Sequence, residues 1–219
     1  MSDESTVVTE SNQNDAKTRR LPPELREAIA LRQVQLRVQL NQVLQESKGK
    51  SWSLEVGCGH GHYLVDYAEA NPKTFCLGID LVTKRIERAQ AKVQKRGLHN
   101  VSFLKAELFE FFELLPRQVT FEAIFMLFPD PWPKKRHARR RMLQAVFLDA
   151  IAARMPVGAP FYFQTDHSEN WEWAMEQLET HAAWVLLPQA RVEAEWPLRT
   201  VSYFEELCGE GQRAIAVRL

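Results

Sequence analysis

The chain is poor in the features that announce a special class of protein. Three cysteines, Cys58, Cys76 and Cys208, make neither a C-x-x-C pair nor an even framework. That excludes a disulfide-stapled scaffold and fits a reducing cytoplasm. No apolar run approaches the roughly 18 residues needed to span a membrane. The polar N-terminus lacks the apolar core of a signal peptide. No internal repeat is present. Net charge is lacking too, with 28 basic residues against 28 acidic ones, so bulk electrostatics does not point to a nucleic-acid partner. What remains is an ordinary globular composition, 45% hydrophobic and 26% charged over 219 residues, enough for one well-buried domain.

Glycine is also scarce, at nine residues, which gives weight to the three in Glu55-Val-Gly-Cys-Gly-His-Gly61. The apolar run Ser51 to Val56 reads as a buried strand, and Tyr63, Leu64, Tyr67 and Ala68 follow at helical spacing. Such a strand, turn and helix brings backbone amides close to a nucleotide-like ligand. A dinucleotide fingerprint would place its third glycine at position 62, where His62 stands. The spacing is instead that of the acidic-x-Gly-x-Gly-x-Gly loop of methyltransferases, which hold S-adenosylmethionine. By itself the triplet also suits a tight turn in another α/β protein. Cys58 lies within it, where a small side chain is sufficient reason for its presence.

Residues 1–20 are polar and are expected to be a disordered tail; residues 21–50 form a helical extension and residues 51–219 a single α/β domain. Pro22 and Pro23 suit a helix entry, and Leu25, Ile29, Leu36, Leu40, Val43 and Leu44 form an apolar stripe up to Glu46. Beyond residue 51, strands are expected at 51–56, 75–80, 100–104, 123–128 and 160–165. They alternate with helices at 60–70, 82–96, 107–115, 139–155 and 168–181. Two closing strands, 184–193 and 212–218, have no long helix between them. Five β/α units that close with an antiparallel pair describe a mostly parallel, doubly wound seven-stranded sheet with helices on both faces.

In open α/β sheets the ligand lies beyond the carboxyl ends of the strands. Glu55, Asp80, Glu107, Asp130 and Asp166 all fall there. Asp80, 23 residues after Gly57, suits ribose hydroxyls, and Glu107 an adenine amino group, although a helix N-terminal acid reads the same way. The fourth strand runs into Phe128-Pro-Asp-Pro-Trp-Pro-Lys-Lys-Arg-His137, whose prolines stiffen the chain around Asp130 and Trp132. Lys134 to Arg141 holds six Lys/Arg in eight residues and leaves 22 basic against 28 acidic residues elsewhere. An aromatic beside a cluster of cations suits RNA. The cations Lys135, Arg136, Arg139, Arg140 and Arg141 are candidate phosphate contacts and Trp132 a stacking group. A solvated helix start is the plainer alternative, although cations are unfavourable at a helix N-terminus.

This segment, with Leu54-Glu-Val-Gly-Cys-Gly-His-Gly61, Gly78-Ile-Asp80, Gln164-Thr-Asp166 and Arg199-Thr-Val-Ser-Tyr-Phe-Glu205, resembles the bacterial tRNA (guanine-N7-)-methyltransferases of the TrmB family. The resemblance runs from about Leu54 to Glu205. It implies a class I S-adenosylmethionine-dependent fold and methylation of a tRNA guanine, guanine-46 of the variable loop, in the cytoplasm, by a monomer or homodimer without metal. It also implies that Glu55, Gly57, Gly59, Gly61, Asp80, Glu107 and Asp130 meet the donor, with Asp130 catalytic. Lys134, Asp166, Ser202, Tyr203, Phe204 and Glu205 would meet the substrate. The chain departs from the family at Glu107, usually Asp, at Ser202 and Tyr203, usually Thr and Lys, and throughout the lead-in before residue 50. The same fold acting on another RNA or a small molecule, or an RNA-binding protein that needs a partner, are the alternatives.

Overall fold

Strand β1 (Ser51–Val56) is buried along nearly its whole length and lies inside the sheet. The computed structural model describes residues 22–132, 135–198 and 211–219, with only the backbone of Lys135 and Ala138. The expected tail, Cys208, Lys134 and Ser202 to Glu205 lie outside these residues. Beside β1 run β2 (Thr74–Asp80), β3 (Val101–Lys105), β4 (Phe121–Leu127) and β5 (Pro160–Thr165), all parallel. Strands β6 (Trp184–Leu186) and β7 (Gln212–Arg218) close the sheet, with β7 antiparallel to both β5 and β6. The order is β3-β2-β1-β4-β5-β7-β6. Connections reverse direction between β1 and β4, and that is where a doubly wound sheet opens its ligand crevice.

The helices are α1 (Pro23–Glu46), α2 (His62–Ala70), α3 (Thr83–Arg96), α4 (Leu108–Leu114), α5 (Ala145–Ala152), α6 (Ser168–Thr180) and α7 (Gln189–Glu195). Leu36, Leu40 and Val43 of α1 share one core with Phe111, Phe147 and Leu178 against one face of the sheet. Helices α2, α3 and α7 cover the other face, through Leu64, Ile86 and Ala89 at the β1–β3 end and Tyr63, Val192 and Trp196 further along. Parallel strands covered on both faces read as continuous apolar runs, which is why β1, β2 and β4 stand out in the sequence. Helix α1 is tied on by the ion pair of Arg32 with buried Glu110, at 3.0 Å. Its apolar stripe is shorter than expected, because Leu25 is exposed.

Two elements differ from expectation. The single helix over 139–155 is instead a 3-10 helix (Lys135–Arg140) followed by the shorter α5. The amide of Gln144 donates to the carbonyls of Arg139 at 2.9 Å and Arg141 at 2.6 Å. Those oxygens are satisfied without a continuing helix, as side-chain competition for backbone groups allows. The strand over 184–193 is only three residues long, because Pro188 starts α7, which an Arg191–Glu195 pair at 2.6 Å braces.

Candidate active site

The glycine loop leaves β1 and turns straight back onto β2. The amides of Gly57 and Cys58 both donate to the Ile79 carbonyl, at 2.9 and 3.0 Å. Gly61 then opens α2 in a left-handed conformation, φ +69°. A Cβ there would lie 2.6 Å from the Phe103 ring and 2.8 Å from Ala89, so both backbone and packing demand glycine. Gly57 and Gly59 are also left-handed, but a Cβ on either would meet nothing within 4 Å. Open space thus lies in front of the turn and a packed floor beneath it.

Two carboxylates flank this turn. Asp80, 6% exposed, is held in place by the loop. It accepts from the Gly59 amide at 3.1 Å and the Val82 amide at 2.8 Å, and Arg85 approaches it at 3.4 Å. Glu55, 4% exposed, has one oxygen, Oε2, without a hydrogen-bond partner. Burial first, and the Asp80 charge second, push its carboxyl up to about 8. A buried acid with an idle oxygen, a second acid beside it and open space before the glycines suit a ligand that brings positive charge and hydroxyls. Cys58 is a buried thiol whose pKa is raised, by burial and then by the Glu55 and Asp80 charges. It is held as a neutral packing group and not as a nucleophile.

Glu107 is exposed beyond β3 and caps α4, with one oxygen accepting from the Glu110 amide at 3.0 Å. The helix-cap reading thus holds.

Asp130 lies beyond β4, the neighbour of β1 on the side away from β2. Its loop is bent at both ends, since Phe128 has φ +50° and Trp132 φ +42°. Such non-glycine conformations cost of order 1–3 kcal/mol each and persist only where surroundings enforce them. Here the enforcement is visible. The Phe128 amide donates to the Gln164 carbonyl at 2.8 Å. Arg141 donates to the Pro131 carbonyl at 3.1 Å and to the Glu169 carbonyl at 3.2 Å, with its guanidinium over the Trp173 ring at 5.5 Å. Arg140 covers Trp132 at 4.9 Å, and His137 meets the same ring edge-on at 5.8 Å. Asp130 itself is exposed at the apex.

Arg141, expected among the phosphate contacts, is 7% exposed and turned inward. It bolts the Asp130 loop to the first turn of α6, next to exposed Asp166. Among the described side chains of this run, the cations that face outward are Arg136, Arg139 and Arg140. Sequence reasoning also missed Arg85, which holds Asp80, and Lys92, which donates to the His60 carbonyl of the glycine loop at 2.6 Å. Only their regular spacing on α3 hinted at a shared face. Among the described residues no group of three His, Cys, Asp or Glu could hold a metal ion, and no helix is long and apolar enough to cross a membrane.

The model of a family described as "Putative methyltransferase" matches residues 50–217. A tRNA (guanine-N(7)-)-methyltransferase of Halorhodospira halophila is 33% identical over 129 residues, 59% of this chain and 56% of the relative. One of Rhodospirillum rubrum is 30% identical over 152 residues, 69% of this chain and 58% of the relative. The chain thus spans under three fifths of the length of these curated relatives. Among solved structures, the 16S rRNA methyltransferase KamB superimposes with TM-score 0.56 and 19% identity, over 83% of this chain and 93% of that one. TrmN of Thermus thermophilus does so with TM-score 0.53 and 18% identity, over 84% of this chain and 49% of that one.

Proposed function

The chain belongs to the methyltransferase family whose model it matches over residues 50–217, and from that premise we propose that it is a tRNA (guanine-N7-)-methyltransferase of the TrmB type. Its fold is that of the class I S-adenosylmethionine-dependent methyltransferases. The observation that carries the reading is one of placement. The glycine loop with Glu55 and Asp80, and the bent loop with Asp130 and Trp132, leave adjacent strands at one edge of the sheet. A methyl donor and a flat base can meet between them. The names of the relatives supply the acceptor, N7 of a tRNA guanine, with guanine-46 the position we propose.

Glu55 and Asp80 hold the donor from below and Glu107 from beyond β3, with the open fronts of Gly57 and Gly59 giving it room. S-adenosylmethionine, when bound, supplies a methyl group on a positively charged sulfur. The N7 atom of guanine carries an in-plane lone pair and no proton, so this chain needs no general base. Holding the two reactants in line can supply roughly 7–11 kcal/mol. Guanine gains positive charge as it is methylated, and the Asp130 carboxylate offsets that charge where it develops. Asp166 and Glu205 accept from the guanine ring N–H and exocyclic amine. Trp132 stacks on, or wedges beside, a base taken out of folded tRNA, and Lys134 with Ser202 to Phe204 completes the substrate side.

The test is methyl incorporation from labelled donor into unmodified bulk tRNA by the purified chain, followed by digestion to nucleosides. The expected product is 7-methylguanosine. Donor binding with no methylated tRNA would point to another acceptor, and RNA binding without turnover to a missing partner subunit. Either result ends this reading.

A further inference from the structure

Helix α3 carries Lys84, Arg85, Arg88, Lys92, Lys95 and Arg96 in fourteen residues, against one acid, Glu87. At about 100° per residue these six cations share an arc of roughly 120°, alongside the buried Ile86 and Ala89. Much of the arrangement opposes helix formation. Cations three and four residues apart repel each other, and Lys84 and Arg85 sit in a first turn that favours acids. Lys92 and His60 both have lowered pKa values, each from burial first and from neighbouring cations after it. Arg96 is offset by Asp66 and Glu69. Lys84 and Lys95 have no acidic partner among the described residues.

The row begins at the candidate site. Arg85 reaches Asp80 at 3.4 Å, Arg88 meets the His60 ring at 3.3 Å and Lys92 holds the His60 carbonyl. From there it runs along a helix about 20 Å long. Exposed Lys105, at the end of β3 and in register with Asp80, adds a cation at the same edge. Across β1, on the β4 side, stand Arg136, Arg139 and Arg140. Residues 134–141 and α3 together hold 12 of the 28 basic residues and one of the 28 acidic ones. Two cationic surfaces therefore bracket the glycine loop on an otherwise acidic body, a charge distribution that focuses a polyanion across the mouth of the site.

We propose that Lys84, Arg88 and Lys95 of α3, with Lys105, form a second phosphate-binding surface for the substrate RNA, on the opposite side of the donor loop from the basic 3-10 helix. The proposal rests on the tRNA reading above. RNA is favoured over an anionic membrane or an acidic protein because the row starts at the loop where the base must arrive.

The experiment uses the full chain and the Lys84→Gln/Lys95→Gln/Lys105→Gln variant, whose three side chains hold nothing of the donor loop. Affinity for unmodified tRNA is titrated from 50 to 200 mM salt, with donor binding, melting temperature and methylation kinetics measured in parallel. The expected log–log salt slope is flatter by roughly 2–3, at about 0.7–0.9 per lost contact. The KM for tRNA rises several-fold, while kcat, donor affinity and melting temperature stay unchanged. If the wild type methylates tRNA and the variant keeps its slope, affinity and KM, the α3 surface is overturned and the tRNA reading survives. A variant that loses binding to phosphatidylserine vesicles but not to tRNA overturns it equally. A wild type that neither binds nor methylates tRNA overturns both.

Discussion

The two sides of the cleft are built on opposite principles. On the donor side, Glu55 and Asp80 are buried, the loop is pinned by backbone hydrogen bonds to β2, and Gly61 rests against Phe103. Its chemistry is fixed by packing. On the acceptor side, Asp130 and Asp166 are exposed, and the loop owes its shape to two unfavourable φ angles held by Arg141 and by stacking on Trp132. Its chemistry is fixed by a few restraints on an exposed loop. Damage to the first side should therefore appear as lost stability or donor affinity, and damage to the second as lost turnover in a protein that still folds and binds.

The sharpest test of that division is Asp130→Asn. The substitution keeps the size of an exposed side chain and removes its charge, so fold and tRNA affinity should be largely unchanged. Turnover on tRNA should fall on the order of 10²-fold, as for loss of one electrostatic stabiliser. Single-turnover rates at saturating donor decide it. A near-normal rate would remove Asp130 from catalysis and leave the acceptor side without its central group.

Gly61→Ala probes the packed side. An alanine must adopt φ +69° and push its Cβ to 2.6 Å from Phe103. We expect a loss of roughly 1–3 kcal/mol in urea unfolding, the range for an overpacked core, with weaker donor binding. Wild-type stability would mean that the floor under the loop yields, contrary to the rigid donor side described above.

Arg141→Lys asks whether the acceptor loop depends on its bolt. A lysine cannot bridge the Pro131 and Glu169 carbonyls in the planar fork that the guanidinium uses. Turnover should drop about tenfold, about 1.4 kcal/mol in the barrier. The salt slope of tRNA binding should stay at the wild-type value. A slope flattened by about 0.7–0.9 would instead mark Arg141 as a phosphate contact.

The same contrast explains what could be read from the sequence. Strands β1, β2 and β4 are covered on both faces and appear as unbroken apolar runs, and the glycine loop needs its three glycines locally. Local causes leave local traces. The inward turn of Arg141, beside the break of the helix after Arg140, depends on groups far along the chain, such as Glu169 and Trp173. Within the sequence Arg141 is one more cation in a basic run. Similarly, Pro188 was visible, but not that it would start α7 and cut β6 to three residues. For Lys134 and Ser202 to Glu205, which lie outside the described residues, the resemblance is the sole guide.

The remaining test probes the donor side by pH. The Glu55 carboxyl lies at about 8 in the folded chain, against 4.5 ordinarily, so the folded protein keeps a proton that the unfolded chain releases. The sign follows from linkage. The stabilisation is fully present below about pH 4.5 and is lost as pH rises through about 8. Glu55→Gln cannot ionise and lacks this term, so wild-type stability should fall relative to the variant between those two values and run parallel above them. Urea unfolding at pH 5, 7 and 8.5 without donor checks it. A positively charged donor favours the ionised carboxylate, so binding to the wild type near pH 7 should release a proton that the variant does not have. Calorimetry in two buffers of different ionisation enthalpy counts that proton. Equal counts for the two proteins would show that the donor's charge is met elsewhere, by Asp80 or Asp130, and that Glu55 serves the loop and not the ligand.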